Sequence, residues 1–473
     1  MRSKNKPIYV CDFETTSERQ FKIEGRTRVY LFKISSLDGS FNKYGLSIEE
    51  FFEIINGFDS DSLIYFHNLS FDGSFVLWYL LENGYSYDNL YKENRGDKTY
   101  CSLIDEGNIY FSMNIINNNK MIIELRCSYK LMPYAIADIG TLVGVPKLSE
   151  THDYNEIKNY SSLDEVPEEE INYLNNDVEI MRLAIIHLLE YGIKGVTISS
   201  SAYSLWRNDK FLFIRDNLNK PEDEHINEIV DKSYRGGLTK VNEKYRGKLL
   251  TDVISFDVNS LYPSVMLQNT MPIGSGKIFT TIEEAEAETY KKQIVVVYVE
   301  DVKVKDNYHS FIGLFKGFSY GRYSYEDEVI DKTFYLWRDE YELFKMVYDG
   351  TYKILEVVGF KEASFVFDNY ILKWYDKKKF ADNEVERSIA KLMLNSLYGK
   401  FGMNDLRTSK IPISYDEKGI IYEKDDNVTI YYYKPIASYI TSMARVKTAT
   451  AIQLCKERFV YCDTDSIYLT GCE

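Results

Sequence analysis

Residues 458–471 read "RFVYCDTDSIYLTG", and this stretch decides what the rest of the chain has to be. Asp463 and Asp465 stand one residue apart inside an apolar run. Side chains along a strand repeat with a period of two, so both carboxylates are expected on one strand face, flanked by Tyr461 and Ile467. Two anions held that close repel each other unless a cation lies between them. The bland alternative is surface decoration. The printed sequence stops at Glu473, so a catalytic centre here would be cut off from part of its own support.

The bulk properties narrow the choice. A length of 473 residues allows about two or three domains. An apolar fraction of 45% with 27% charged residues is that of a soluble globular protein. No run has the roughly 18 uninterrupted apolar residues of a membrane span, and "MRSKNKPIYVCDFE" lacks the apolar core of a secretory signal. Six cysteines form no CxxC pair, which argues against structural zinc and for a reducing compartment. A net charge of −15 speaks against a nucleic-acid partner, but the charge is unevenly spread. Nine acids and one lysine lie between Asp153 and Glu179, whereas six basic residues face two acids from Asp231 to Lys248 and seven face four from Lys373 to Lys400. Phosphates respond to the local field of a groove, so the composition permits a nucleic-acid enzyme. The 41 tyrosines are compatible with base stacking.

Residues 1–190 mix strands and helices and are expected to form one α/β domain. "PIYVCDFETT" is a strand, "SLIYFHNLSFDGSFVLWYLL" is strand, turn and helix, and "PEEEINYLNNDVEIMRLAIIHLLEYG" is a helix between Pro167 and Gly192. A second domain follows the basic stretch "SYRGGLTKVNEKYRGK" and opens with the strand "LLTDVISFDV", which turns at "NSLYPS". Residues 268–360 are expected to be an irregular, strand-rich insertion. Residues 361–402 hold a helix pair closed by Gly399 and Gly402, and 403–473 carry a shorter insertion at about 404–432 and the opening motif.

In "CDFET" the side chains of Asp12 and Glu14 leave one strand face. With 72 acids in the chain, roughly ten such D/E-x-D/E pairs arise by chance, so this pair alone says little. In "HNLSFDGSF", Asp72 follows an aromatic at a strand-to-helix turn, where Asn68 could aim its amide at a substrate or merely cap the helix. Tyr173 and Asp177 are four apart on one helical face. Together Asp12, Glu14, Asp72 and Asp177 could hold two metal ions, with Tyr173 orienting a water.

In the second domain, "ISFDVNSLYPSVM" puts Asp257 at the end of an apolar strand, before a turn whose amides can bind a triphosphate. Tyr262 would sit under the sugar and exclude a ribose 2′-hydroxyl by clash. Along "RSIAKLMLNSLYGKFG", Arg387, Lys391, Asn395 and Tyr398 recur at spacings of four, four and three, so one helical face offers two cations, an amide and a ring. That set suits a nucleoside triphosphate. Asp257, Asp463 and Asp465 would then serve two Mg2+ ions.

The first set, DxE then NxxxFD then YxxxD, resembles the 3′–5′ exonuclease of DNA polymerases. DxxSLYPS, KxxxNSxYG and YxDTDS resemble motifs A, B and C of family B DNA polymerases. "YRGG" (Tyr234, Gly236 and Gly237 among them) and "ELRCSYKLMPYAI" are similar to segments of the protein-primed members. The resemblance implies an RNase H-like α/β exonuclease domain followed by an α+β polymerase domain, a palm with helical fingers and two insertions, linked through residues 191–250. It implies that Thr15, Asn68 and Phe71 handle an unpaired 3′ end and that Ser128 and Tyr129 touch a single strand. It further implies that Tyr234, Gly236 and Gly237 contact DNA, that Val258 and Leu261 join the nucleotide site, and that Val258 is also a metal ligand. Two Mg2+ ions per site, with Mn2+ as a substitute, DNA template and primer, dNTPs and a priming terminal protein follow from the same likeness. So do a monomer, no membrane and the cytoplasm of an infected bacterium. An organellar linear plasmid is the alternative setting.

Two lysines depart from the family pattern. Lys147 in "VPKLSETHDY" is slightly out of register with the family's exonuclease lysine, and the fingers lysine is open among Lys377, Lys378 and Lys379, with Lys378 favoured. The KxY motif and thumb that the family carries after motif C are expected to be missing from this chain. The alternative reading is therefore a chain that keeps only degradation, or binding of DNA or the terminal protein.

Overall fold

The computed structural model describes residues 6–16, 27–88, 98–149, 157–315, 323–404, 406–416, 419–428 and 431–471. Of the features singled out above, Asp153, Glu156 and Cys472 lie outside the described residues. The chain forms two compact units. The first comprises residues up to Ser201 with Phe380–Leu392 and Leu406–Thr429; the second comprises Ala202–Lys379, Met393–Asp405 and the rest.

The first unit is built on an eight-stranded sheet. Its strands are β1 (Ile8–Thr15), β2 (Val29–Ser36), β3 (Asn42–Gly45), β4 (Ser62–Phe66), β5 (Ser86–Tyr87), β6 (Thr99–Ile104), β7 (Tyr110–Ile116) and β8 (Ile122–Cys127). The order is β3-β2-β1-β4-β8-β7-β6-β5, with β1, β4 and β8 parallel at the centre. Helices α1 (Ile48–Asn56), α2 (Leu69–Glu82), α3 (Ile136–Val143) and α4 (Glu168–Glu190) complete it. Phe13 makes edge contacts with Phe51 and Phe66, each at 5.1 Å, which fixes β1 in the core. Helix α4 packs on β1 and β2. It is pinned there by Asn175, whose Oδ1 accepts from Lys33 at 2.8 Å and from the Tyr44 hydroxyl at 2.6 Å.

The expected second insertion is a hairpin, β17 (Leu406–Asp416) and β18 (Gly419–Val428). It groups with this first unit rather than with the segment 403–473 in which it lies in sequence. The cause is direct bonding. The Tyr100 hydroxyl donates to the Pro412 carbonyl at 3.1 Å, Lys410 donates to Asn108 Oδ1 at 2.7 Å, and the Tyr110 and Tyr422 hydroxyls share a hydrogen bond.

The second unit holds helices α5 (Ile198–Asn217, whose first turn lies in the first unit), α6 (Glu224–Ser233) and α7 (Leu261–Gln268). One sheet runs β10-β20-β19-β9, from β9 (Thr239–Val241), β10 (Val253–Asp257), β19 (Phe459–Asp463) and β20 (Ser466–Thr470). Strand β10 is shorter than expected and exposed, with Phe256 at 52%, because it is the edge strand and pairs only with β20.

The region expected to be irregular is a regular four-stranded antiparallel sheet, β11-β16-β12-β15. Its strands are β11 (Met271–Phe279), β12 (Lys292–Val304), β15 (Glu328–Trp337) and β16 (Tyr348–Ala363), with helices α8 (Ile282–Ala287) and α9 (Arg338–Val347) between them. The run "QIVVVYV" in β12 is buried almost throughout because α6, α8 and α9 all pack on that strand. A two-stranded pair, β13 (Leu314–Phe315) and β14 (Tyr323–Ser324), completes the region.

The expected helix pair is α10 (Asp368–Lys379) and α11 (Glu384–Phe401, whose residues up to Leu392 group with the first unit), so Gly399 lies inside α11 and Gly402 follows it. Trp206 of α5, 1% exposed, anchors this part by donating from Nε1 to the Val366 carbonyl at 3.0 Å. A further helix, α12 (Lys434–Cys455), lies in a segment for which the sequence predicts none. It starts with Pro435 in its first turn and is buried on nearly every side, so it lacks the polar stripe of a surface helix.

Candidate active sites

The first candidate site gathers on β1, α2 and α4. Asp12 and Glu14 are two apart on β1, as expected. Asp72 is 4% exposed in the first turn of α2, where the nearby Phe13 backbone amide favours its charged form against burial. Asp177 and Tyr173 lie one turn apart on α4, both buried. The four carboxylates sense one another. Burial, then repulsion by Asp72, Glu14 and Asp177, holds the Asp12 carboxyl well above the usual range, against the opposing field of Lys147. Burial first, with Glu14 adding, pushes Asp72 up to about 8.

Such a set of crowded, hard oxygen donors fits a divalent cation, which would lower the cost of ionising all four. Among the described residues no three His, Cys, Asp or Glu side chains converge on a ready-made cage. Lys147 joins the site: its Nζ bonds Asp177 Oδ2 at 2.9 Å and lies 4.9 Å from the centre of the Tyr173 ring. The sequence named this lysine but could not place it, because loop register hid it.

Around this cluster lie the expected strand contacts. Asn68 stands at the N-cap position with left-handed backbone angles (φ 60°), but its side chain makes no capping bond. It is exposed, as is Phe71 at 51%, while Thr15 is half-buried. Ser128 corrects an expectation. It is buried, and its hydroxyl sits 2.9 Å from His67 Nδ1, to which it donates while the ring is neutral, and 3.1 Å from the Phe66 carbonyl, so the presented member of that pair is Tyr129. His67, absent from the expected set, also meets the Tyr134 carbonyl through Nε2 at 3.0 Å. Burial, with Lys147 adding, pushes its imidazole down to about 4 and keeps it neutral.

The second candidate site sits at one end of the β10-β20-β19-β9 sheet. Asp257, Ser466, Asp463 and Thr239 lie opposite one another across four strands. Residues in one cross-strand row point to the same face, so Asp257 and Asp463 flank Ser466 there. The expectation that Asp463 and Asp465 share a strand face is corrected. Strand β19 ends at Asp463, and Thr464 (φ 55°) with Asp465 forms a two-residue hairpin turn. The turn is held on three sides. The Thr464 amide donates to the Leu238 carbonyl at 2.8 Å, the Thr448 hydroxyl donates to the Thr464 carbonyl at 2.7 Å, and the Val258 amide donates to the Asp465 carbonyl at 2.7 Å. Thr239 Oγ1 donates to Asp463 Oδ1 at 2.8 Å. The turn thus brings Asp465 to the Asp257 end of the sheet by a route other than strand alternation.

Beside these acids, Tyr262 stacks on Tyr398 with centroids 4.1 Å apart. Lys378 Nζ stands 3.4 Å from Asn259 Oδ1 and 3.3 Å from Ser260 Oγ, over the turn after Asp257, whereas Lys377 lies against the Trp374 ring. Leu261 has a buried side chain, so only its backbone can face a nucleotide. On α11, Arg387, Lys391 and Asn395 are exposed and Tyr398 is half-buried, as the spacing predicts. Within YRGG the two glycines differ. A Cβ on Gly236 would meet nothing within 4 Å, while one on Gly237 would lie 2.5 Å from Thr464 Oγ1. Tyr234 packs against Gly402, where a Cβ would come within 2.2 Å of its hydroxyl.

An α/β unit lined with acids, followed by a sheet that presents three aspartates at one end, defines a class, and the chain belongs to the type B DNA polymerases of organelles and viruses, whose family model matches residues 144–473. The DNA polymerase of Bacillus phage Nf is 31% identical over 99% of this chain and 81% of its own length. The structure of Phi29 DNA polymerase with primer-template DNA superposes with a TM-score of 0.85 at 27% identity, covering 99% of this chain and 81% of that one. Its complex with primer-template DNA and incoming nucleotide gives 0.85 at 26%, covering 100% and 81%.

Proposed function

We propose that this chain is a DNA-directed DNA polymerase that copies a linear genome by protein-primed, strand-displacing synthesis and proofreads with a 3′–5′ exonuclease. The observation that carries the reading is the row Asp257, Ser466, Asp463, closed by Asp465 in its turn and bordered by the Tyr262–Tyr398 stack. Asp257, Asp463 and Asp465, with the Val258 carbonyl, would hold two Mg2+ or Mn2+ ions. Bound there, the ions supply activation of the attacking hydroxyl and neutralisation of the departing pyrophosphate.

The chain's own groups do the rest. Lys378 meets the triphosphate over the Ser260 turn, Tyr262 closes the space a ribose 2′-hydroxyl would need, and the exposed face of α11 receives the nucleotide. In the first unit, Asp12, Glu14, Asp72 and Asp177 would hold the other ion pair. Tyr173 orients water, Lys147 offsets the anionic charge, and Asn68, Phe71 and Tyr129 grip the unpaired end. Primer-template DNA and dNTPs as partners accord with the described complexes of the similar polymerase. YRGG, and the sheet β11-β16-β12-β15 in the insertion between motifs A and B, which by resemblance is the terminal-protein region of the protein-primed members, support a protein primer.

Primer extension and single-strand degradation, measured on one preparation with Mg2+, test the reading. Asp465→Ala should abolish extension and leave degradation, and Asp12→Ala should do the reverse. Loss of both activities from either change would sink the two-site assignment.

A further inference from the structure

Beneath the second site lies a buried charged cluster that joins Arg235 of YRGG to Glu340 and Arg445, two residues with no role assigned so far. Glu340 of α9 is 1% exposed and Arg445 of α12 is 4% exposed. Arg445 donates from Nε to Glu340 Oε1 at 3.0 Å and from Nη2 to Oε2 at 3.1 Å. Arg235 Nη2 donates to Oε1 at 2.9 Å and the Ser442 hydroxyl to Oε2 at 3.0 Å. Four donors therefore fix this one carboxylate. Burial works against its charge, yet the two guanidiniums outweigh burial and hold its carboxyl below the ordinary value.

The other arm of Arg445 reaches the YRGG backbone. Its Nη1 donates to the carbonyl of Arg235 at 2.6 Å and to that of Gly236 at 3.0 Å. The next residue, Gly237, is the one that packs on Thr464, and Leu238 accepts the Thr464 amide. One helical turn past Arg445, Thr448 bonds the Thr464 carbonyl. Helix α12 thus holds the backbone shelf with one side chain and the turn upon it with another.

A purely stabilising role explains this poorly. Desolvating three charges costs about what their attraction returns, and apolar residues of similar volume often stabilise as well. What an apolar cluster lacks is fixed bonding to two named carbonyls.

We propose that Glu340 and Arg445 are positioning residues of the polymerase centre, which clamp the Arg235–Gly237 backbone as the shelf that sets the spacing of Asp463 and Asp465 for divalent cations. This rests on the reading of those aspartates as cation ligands.

The test is Mn2+ binding followed by electron paramagnetic resonance, in a full chain carrying Asp12→Ala and Asp72→Ala to silence the other cluster. Arg445→Lys keeps the charge but cannot fork between Glu340 and two carbonyls, and Glu340→Gln removes the clamp's centre. Each should weaken Mn2+ binding and slow nucleotide incorporation by roughly 10–100-fold. The KM for nucleotide should stay within about two-fold, and excess Mn2+ should restore part of the rate. Folded Arg445→Lys with the parent's Mn2+ affinity would overturn the proposal, even if Glu340→Gln failed to fold. A rate loss that follows thermal stability and resists added Mn2+ would also overturn it. A parent whose Mn2+ binding is indifferent to Asp465→Ala would instead refute the cation reading itself.

Discussion

Gly237→Ala offers a sharp test of the second site. The new Cβ would lie 2.5 Å from Thr464 Oγ1, 2.8 Å from its Cγ2 and 3.0 Å from its Cβ. Comfortable carbon contacts fall near 3.5–4.0 Å, so about 1 Å must open between the two residues. Thr464 cannot yield it alone, since its amide is tied to Leu238 and its carbonyl to Thr448, and its φ of 55° is already unfavourable for a β-branched residue. The displacement passes to Asp463 and Asp465 on either side. A misplacement of about 1 Å at reacting groups can cost on the order of 10²-fold in rate, while overpacking costs about 1–3 kcal/mol in stability. Gly236→Ala is the matched control for the clash, because its Cβ meets nothing within 4 Å and neither glycine has a positive φ. Single-turnover primer extension at saturating primer-template, where a DNA contact expected of either glycine no longer limits the rate, should be about 100-fold slower for Gly237→Ala than for Gly236→Ala. Degradation of single strands should be unchanged in both. Equal effects of the two alanines would refute the reasoning.

Lys147→Ala removes the cation bonded to Asp177 and should cut degradation by roughly 10–100-fold with extension intact; an unaltered degradation rate would exclude Lys147 from the site. His67 gives a signature in pH. The unfolded imidazole takes its proton near 6.5 and the folded one only near 4, so the unfolded state binds more protons in that window and stability is lost as pH falls through it. Chemical denaturation should show wild type losing about 3 kcal/mol more than His67→Phe between neutrality and the bottom of that window; parallel losses would contradict the neutral, bonded imidazole. Tyr262→Val, which removes the ring stacked on Tyr398, should raise ribonucleotide use by at least roughly ten-fold in competition assays, and retained discrimination would count against the steric role.

The sequence was most informative where function imposes a repeat. Asp12 and Glu14 two apart on a strand, Tyr173 and Asp177 four apart on a helix, and the Arg387, Lys391, Asn395, Tyr398 face all follow from backbone periods alone. What escaped depended on tertiary partners. Ser128 reads as a surface serine until His67 and the Phe66 carbonyl claim its hydroxyl. Helix α12 carries Ser438, Thr441, Ser442, Arg445 and Thr448 inside, so its polar residues mark no solvent face and its period was masked. The left-handed turn at Thr464 lacks the glycine or asparagine that usually announces one. The β11-β16-β12-β15 sheet is legible only as strand-rich, because "QIVVVYV" is buried on both faces and shows no alternation to define a regular sheet.

The two-residue turn at Thr464 and Asp465 has a consequence for how this gene can vary. Two residues are the shortest common link between antiparallel strands, so nothing can be deleted there. One codon inserted just inside β20 would slip it by a residue, swapping its faces and turning Ile467 and Leu469 away from the core they now join. Substitutions at the turn should grade the enzyme's performance, whereas a change of length should extinguish it. Descent at this locus is therefore expected to keep the count of codons more strictly than their identity.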